Sequence, residues 1–205
     1  MHVEAPTLDG GKQLAKSAFD RVAGLLLLIA SSPVLVGIAV AIRLTSPGPA
    51  IFRQQRSGRA GVLFTIYKFR TMRADAERTS GAVWATRNDP RVTRLGRILR
   101  RTRLDELPQL VNVIMGDMNI VGPRPERPSI FVRLREDLPD YRFRQRTRPG
   151  ITGWAQINHT YDTSIDDVRA KIRYDLEYLE RQSLAEDLMI MAKTLPVMIF
   201  RRSGW

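Results

Sequence analysis

The chain has 205 residues and carries 33 Lys and Arg against 21 Asp and Glu, a formal net charge of +12 that favours an anionic partner such as nucleic acid, a phosphate-bearing substrate or acidic lipid. Apolar residues make up 43% of the chain, which is enough for a folded core and excludes a wholly disordered protein. The lack of cysteine excludes disulfides, thiolate metal sites and cysteine nucleophiles, and two histidines, His2 and His159, leave little for a histidine metal centre.

The first predicted element is a long apolar helix. Residues 1 to about 11 read as a loose tail, and the 21 residues from Val22 to Ile42 carry no charge, which is long enough to enter a membrane. Ser32-Pro33 lies near the centre, where proline removes a backbone hydrogen bond and predicts a kink or a break. Basic residues flank both ends, which favours a re-entrant helix with both ends on the cytoplasmic side over a kinked spanning helix.

A β-hairpin is predicted next. Ala50 to Gln55 and Val62 to Phe69 read as short strands, and the segment from Ser57 to Gly61 supplies the turn between them. A helix follows over Thr93 to Thr102, with arginines on one face and aliphatic residues on the other.

Two adjacent carboxylates, Asp105 and Glu106, stand at the predicted start of the next helix. Pro108 belongs in a first helical turn, so the helix should begin at about Asp105, where free N–H groups favour anions. A capping pair is the plainer interpretation. Arg100, Arg101 and Arg103 lie just upstream, and they should keep Asp105 ionised and available as a nucleophile beside phosphate-binding cations.

Two loops complete the candidate site. Gly116 is a plausible helix C-cap, and Arg124 follows between two prolines that would stiffen its backbone for phosphate binding, although a plain rigid loop fits equally well. The segment from Arg148 to Gln156 combines a cation, two glycines and Trp154, which suits a nucleotide or sugar site or ordinary loop packing.

Two helices are predicted in the last third, over Asp166 to Arg181 and Leu184 to Phe200. The second has a large apolar face and is followed by Arg201 and Arg202, so it suits a helix lying on a membrane surface as well as a core helix.

These motifs, in this order, resemble the bacterial sugar transferase family of monotopic phosphoglycosyl transferases. The resemblance covers about residues 12 to 200 and includes Phe19-Asp20, Ser32-Pro33, Tyr67 to Met72, Leu104 to Leu110, Gly116 to Pro125 and Arg148 to Gln156. Arg103, Thr71 and Asn119 stand where the family often has serine, which bears on substrate preference. The chain resembles the small form of the family, the catalytic domain without a transmembrane bundle.

The resemblance implies transfer of a sugar phosphate from a UDP-sugar to polyprenyl (undecaprenyl) phosphate, with UMP as the second product. It implies Asp105 as the nucleophile, Glu106 as its partner at Mg²⁺, and phosphate contacts from Arg100, Arg124, Lys68 and Arg148. Thr152, Gly153, Trp154 and Gln156 would form the nucleotide or sugar loop. Phosphoryl transfer needs mainly positioning and charge neutralisation, which Mg²⁺ and arginine both supply.

The expected fold is therefore α+β and mostly helical, with the N-terminal re-entrant membrane helix, a small β-hairpin and amphipathic helices on the membrane surface. Residues 12–43 form the membrane helix and residues 44–205 a catalytic domain on the cytoplasmic face of the bacterial inner membrane. The partners are a UDP-sugar, polyprenyl phosphate and membrane lipids, with a homodimer left open. A nucleic-acid-binding protein explains neither the apolar run nor the paired carboxylates, and a non-catalytic membrane scaffold remains the second rival.

Overall fold

The computed structural model describes residues 10–73, 76, 89–159 and 165–200. Its first element, α1, is one helix over Gly10–Thr45, longer at both ends than the predicted 12–43. The expected tail lies outside the described residues except for its last two positions, which belong to α1. In the described part of the chain, α1 is the one helix with the length and hydropathy to cross a membrane.

The Ser31-Ser32-Pro33 segment lies inside α1 and does not divide it into two elements. Pro33 cannot donate to the carbonyl of Ile29, and the hydroxyl of Ser32 donates to that oxygen at 2.8 Å instead. The Ser31 hydroxyl donates in the same way to the carbonyl of Leu27 at 2.7 Å. The helix continues through the proline because neighbouring hydroxyls satisfy carbonyls that would otherwise face apolar surroundings.

Both ends of α1 pack against the same folded body. Gly24 lies so close to Val113 that an added Cβ would be 3.1 Å from its Cγ1 atom. Ile42, near the other end, is 2% exposed in a cluster with Phe69 and Leu99. The stretch between these anchors exposes apolar side chains, namely Leu25, Leu26, Leu27, Ile29, Val34, Val36 and Val40.

A buried polar network fixes the first part of α1 to the C-terminal half of the chain. The Lys16 ammonium forms ion pairs with Asp187 and, at 3.2 Å, with Asp20. The Tyr178 hydroxyl donates to Asp187 at 2.7 Å, and Asp20 accepts from the backbone N–H of Ile120 at 3.3 Å. Every charged member is almost fully buried, so the network holds only while its partners remain together.

The predicted hairpin is present as β1, Ile51–Ser57, and β2, Leu63–Phe69. The strands are antiparallel, from the pair Ile51 and Phe69 to the pair Ser57 and Leu63. A short 3-10 turn, Arg59–Gly61, joins them, with Ala60 and Gly61 at positive φ.

A second, parallel pair of strands forms where the sequence predicts only loops. β3 is Asn119–Val121 and β4 is Gly150–Thr152. A Cβ at Gly150 would lie 2.1 Å from the backbone nitrogen of Gly122, so the backbones meet at a distance that only glycine permits. The glycine content that argued against a helix here also permits this close pairing.

The remaining helices surround these sheets. They are α2, Arg94–Arg101; a 3-10 helix, Leu104–Gln109; α3, Leu110–Met115; α4, Pro128–Asp137; a second 3-10 helix, Pro139–Arg146; α5, Trp154–Asn158; α6, Ile165–Arg181; and α7, Leu184–Phe200. The largest core cluster draws its buried residues from β2, α3, β3, α5, α6 and α7 and includes Val113, Val121 and Ile190. The mostly helical α+β fold with an apolar N-terminal helix is confirmed.

Helix α7 buries one side in the core and exposes apolar side chains on another. Ile190 is fully buried in the core, whereas Leu188 and Leu195 are 53% and 63% exposed. Arg201 and Arg202, the basic end of the predicted surface helix, lie outside the described residues.

Candidate active site

The paired carboxylates lie in the 3-10 helix Leu104–Gln109 rather than at the start of an α-helix. The sequence-based placement of the α-helix at Asp105 was therefore early, and α3 begins only at Leu110. Pro108 has no N–H for the α-helical ladder, so the first turn takes the tighter 3-10 form. Gly116 ends α3 at positive φ, which confirms the predicted C-cap.

Glu106 is surrounded by cations. Its Oε1 accepts from Lys68 Nζ at 2.8 Å and from Arg124 Nη2 at 2.7 Å, and Arg103 Nη1 lies 3.9 Å from Oε2. Burial by itself would raise the pKa of Glu106, but Arg124 and Lys68 hold that pKa well below its usual range. Glu106 is thus an ionised carboxylate that organises the basic side chains of the site.

Asp105 has a different environment. It is 9% exposed, and its buried Oδ1 atom has no hydrogen-bond partner in the part of the chain that the structure describes. Burial, followed by the neighbouring charge of Glu106, raises the pKa of Asp105 to about 6 against the pull of nearby cations. Burial outweighs the upstream arginines, yet a pKa of about 6 still leaves this carboxyl mostly ionised at neutral pH, as the sequence analysis expects.

Strand β2 and α3 together place Lys68 beside the carboxylates. The side chain of Asn112, fully buried in α3, accepts from the backbone N–H of Tyr67 at 3.2 Å and donates to the carbonyl of Thr65 at 2.7 Å. These bonds dock the strand against the segment that carries Asp105 and Glu106. The sequence analysis missed Asn112, although a polar residue within an apolar helical run is a readable signal.

Arg100 is held by the segment that follows β2. Its Nε donates to the hydroxyl of Thr71 at 2.8 Å, and burial lowers its pKa. Helix α2 reaches Thr71 because it carries Gly96 at the contact, where a Cβ would lie 2.0 Å from the Thr71 carbonyl oxygen. Thr71 is therefore a positioning residue that the sequence analysis noted only as a family variation.

The backbone of the loop that carries Arg124 is held by a buried arginine, Arg144. Arg144 donates to the carbonyl of Arg124 at 3.1 Å and is itself paired with Asp175 of α6 at 2.6 Å. A small pocket opens beside this loop, lined in part by Ser57, Arg124 and Thr147. The prediction of a stiffened arginine is consistent with this arrangement, since both prolines and a buried ion pair constrain it.

The structure brings Asp105, Glu106, Lys68, Arg100 and Arg124 together, but it places the second predicted loop elsewhere. Arg148 donates to Ser17 of α1 at 3.0 Å, and Thr152 shares a hydrogen bond with Thr194 of α7 at 2.8 Å.

The rest of that loop also packs internally. Trp154 donates to Glu177 at 3.0 Å, Gln156 donates to the Ile151 carbonyl, and Gly153 lies against the Gly122 backbone. None of these contacts reaches the two carboxylates, so the loop-packing interpretation accounts for the geometry of this segment.

A magnesium ion fits this site only if phosphate oxygens of the substrate supply most of its ligands. No group of three or more metal-ligating side chains occurs among the residues that the structure describes. Asp105 offers an unpartnered carboxylate oxygen, whereas both oxygens of Glu106 face basic side chains. Magnesium is commonly held by one or two carboxylates plus substrate phosphates, which matches the oxygen that Asp105 provides.

Comparison with known proteins agrees with this geometry. The sequence profile of the family described as bacterial sugar transferase matches residues 11–201. The chain is 43% identical over 180 residues to UDP-N-acetylgalactosamine-undecaprenyl-phosphate N-acetylgalactosaminephosphotransferase of Aeromonas hydrophila, covering 88% of this chain and 42% of that protein. It is 44% identical over 190 residues to UDP-glucose:undecaprenyl-phosphate glucose-1-phosphate transferase of Escherichia coli, covering 92% and 41%.

The chain thus spans about two fifths of the length of those two relatives. It is also 41% identical over 197 residues to exopolysaccharide production protein PSS of Rhizobium leguminosarum, covering 93% of this chain and 98% of that protein.

Proposed function

The chain belongs to the bacterial sugar transferase family, and from that premise we propose that it transfers a sugar phosphate from a UDP-sugar to polyprenyl phosphate. The products are a polyprenyl-diphosphosugar and UMP, and the reaction opens the assembly of a glycoconjugate or exopolysaccharide. Undecaprenyl phosphate is the acceptor that the names of two relatives carry.

One observation carries the proposal: a buried carboxylate, one of whose oxygens has no hydrogen-bond partner in the described part of the chain, is surrounded by cations. Asp105 supplies that oxygen, and Lys68 and Arg124 are held beside it by Glu106. A nucleophile close to fixed positive charge is what transfer of a charged phosphoryl group requires.

In the first step, an Asp105 oxygen attacks the phosphorus that carries the sugar. The new bond joins that oxygen to phosphorus, the bond between this phosphorus and the bridging oxygen breaks, and UMP leaves with the electron pair. Arg100 and Arg124 are the guanidinium groups available to the phosphate oxygens, and Lys68 adds a partly buried ammonium. Bound magnesium would neutralise charge on the diphosphate, with Asp105 as its protein contact.

In the second step, a phosphate oxygen of the polyprenyl phosphate attacks the same phosphorus. The bond from Asp105 to phosphorus breaks, and the carboxylate is restored. Because the soluble donor and the lipid acceptor bind one after the other, one small site can serve both. We therefore prefer this route to direct transfer.

The acceptor requires a membrane, and α1 supplies the surface that meets it. We place α1 in the inner membrane as a re-entrant helix with both ends on the cytoplasmic face. Support comes from the exposed apolar stretch of α1 and from the anchoring of Gly24 and Ile42 to one folded body.

The test is the intact mass of detergent-purified protein after mixing with a UDP-sugar and Mg²⁺ without lipid acceptor. We expect a phosphosugar adduct that maps to Asp105, with UMP released in equal amount, and we expect neither from Asp105→Asn. Glu106→Gln should lower the rate by freeing Lys68 and Arg124 while leaving the Mg²⁺ concentration for half-maximal rate unchanged. A full rate of turnover with lipid but no adduct in its absence would refute the covalent route, and a raised Mg²⁺ requirement in Glu106→Gln would make Glu106 a metal ligand.

A further inference from the structure

Three arginines from three separate elements converge on the first part of α1. The Ser17 hydroxyl accepts from Arg21 Nη1 of α1 and from Arg148 Nη1, which precedes β4, at 3.0 Å each. Arg59, in the turn between β1 and β2, reaches the same helix and donates to the side-chain oxygen of Gln13 at 3.4 Å. We call Arg21, Arg59 and Arg148 the Ser17 arginine cluster.

The cluster has no carboxylate partner in the described part of the chain. The nearby carboxylates have other partners: Asp20 pairs with Lys16 at 3.2 Å, and Asp117 accepts from Asn112 at 3.4 Å. Burial, together with the charges of Arg21 and Arg59, lowers the pKa of Arg148, and the charges of Asp20 and Asp117 offset this shift only in part.

By contrast, three other arginines of this protein form ion pairs with carboxylates. Arg124, Arg144 and Arg91 each pair with a carboxylate at 2.6 to 2.7 Å. Arg21 and Arg148 instead share one neutral acceptor, the Ser17 hydroxyl. A phosphate would satisfy both guanidinium groups, because its oxygens accept the paired N–H groups of arginine.

The position of the cluster indicates the source of that phosphate. Arg21 is the last residue before the apolar run of α1, and the residues that follow, Val22 and Leu26, are 60% and 63% exposed. If these side chains enter the hydrocarbon, Arg21 lies at the depth of the lipid phosphates. The cluster also shares no member with Lys68, Arg100 and Arg124, the cations near Asp105.

We propose that the Ser17 arginine cluster binds the phosphate of an anionic membrane phospholipid where α1 enters the bilayer. This inference rests on the membrane placement given above and adds a lipid site separate from the acceptor site. Arg21 and Arg148 would donate to phosphate oxygens in place of, or together with, Ser17, and Arg59 would bring the hairpin turn down onto the same head group.

Native mass spectrometry of the full chain in detergent tests the proposal without turnover. The probes are dioleoyl phosphatidylglycerol and dioleoyl phosphatidylcholine at equal concentration, which differ only in the head group. A basic side chain near an anionic membrane surface contributes roughly five-fold in affinity. We expect preference for phosphatidylglycerol in the native chain, a loss of about five-fold in Arg59→Gln, and about 25-fold in Arg21→Gln/Arg148→Gln. The control Arg94→Gln/Arg97→Gln removes the same charge from exposed positions of α2 and should bind as the native chain does.

Two results would overturn the proposal. Equal losses in the α2 control would mean that the preference comes from overall charge rather than from the cluster. Unchanged phosphatidylglycerol binding in both cluster variants, with loss of binding to UMP or inorganic phosphate, would assign the cluster to a soluble phosphate. Arg59 is exposed in a turn, so Arg59→Gln should fold and would still test the proposal if the double variant does not fold. UMP release by the same samples reports the proposed transfer separately.

Discussion

At the scale of single residues, the pKa values of two adjacent carboxylates are shifted in opposite directions because their neighbours differ. Glu106 faces Lys68 and Arg124 at ion-pair distance, whereas the Oδ1 atom of Asp105 is buried without a partner. A sequence shows that the two are adjacent but does not show which one turns toward the cations. The contrast fits the proposed mechanism, in which Glu106 orders positive charge and Asp105 is the nucleophile.

Asp105 should therefore cost stability at the pH where it works. Its pKa of about 6 lies above the ordinary value of 3.8, so ionisation is less favourable in the fold than in the unfolded chain. This cost is absent near pH 3, grows as the pH rises from about 4 to about 6, and stays nearly constant above that. Asp105→Asn, which stays neutral, should match the native chain at pH 3 and be more stable by the order of 1 to 3 kcal/mol at pH 7.5 without divalent ions. Denaturant unfolding at the two pH values measures this, and a constant difference between them would contradict it.

At the scale of elements, α1 bears on one sequence-based prediction. Proline predicts a kink or a break, and α1 is a single helical element through Pro33, where Ser32 supplies the hydrogen bond that Pro33 cannot make. What returns the chain to the body is contact at both ends, through Gly24 and Ile42, and no local pattern encodes that contact.

The topology of α1 can be tested with single cysteines, because the chain has none. Lys12→Cys and Leu44→Cys place exposed thiols near the two ends. In sealed cells an impermeant maleimide should label neither, and permeabilisation should expose both. Adding Pro33→Ala restores an N–H for the Ile29 carbonyl and should shift some molecules toward spanning, seen as partial labelling of one end from outside. Labelling of one end without Pro33→Ala would disprove the re-entrant arrangement, and an unchanged pattern with it would show that tertiary contacts alone set the topology.

At the scale of the whole molecule, the sequence predicted the hairpin, the order of the main helices and the principal cations of the site. Their signals are local: turn residues between the two strands, the arginine and aliphatic faces of α2, and the prolines around Arg124. The parallel pairing of β3 with β4 and the docking of β2 by Asn112 were missed because they join segments far apart in the chain. The hydrogen bond from Arg148 to Ser17 was missed for a similar reason, since the two residues lie 131 positions apart.

The buried network around Lys16 should contribute much of the free energy that holds α1 against the rest of the fold. Lys16→Met would leave Asp187 and Asp20 buried without their cation, a change that costs about 3 to 5 kcal/mol. A chain of this size should then lose roughly 10 °C in Tm. Lys16→Met/Asp187→Asn should recover part of the loss, and Lys12→Met, at an exposed position of the same helix, should have little effect. Thermal unfolding in detergent measures all three, and equal Tm values for Lys16→Met and Lys12→Met would exclude this role.

The same ion pair sets the order of events during synthesis. Lys16 and Asp187 are 171 residues apart, so the ribosome releases the membrane helix long before its buried partner exists. At about 5 to 20 residues per second, the helix waits roughly 10 to 35 seconds with Lys16 and Asp20 lacking their final partner. The buried ion pair that fixes α1 against α7 can therefore form only after α7 has been synthesised.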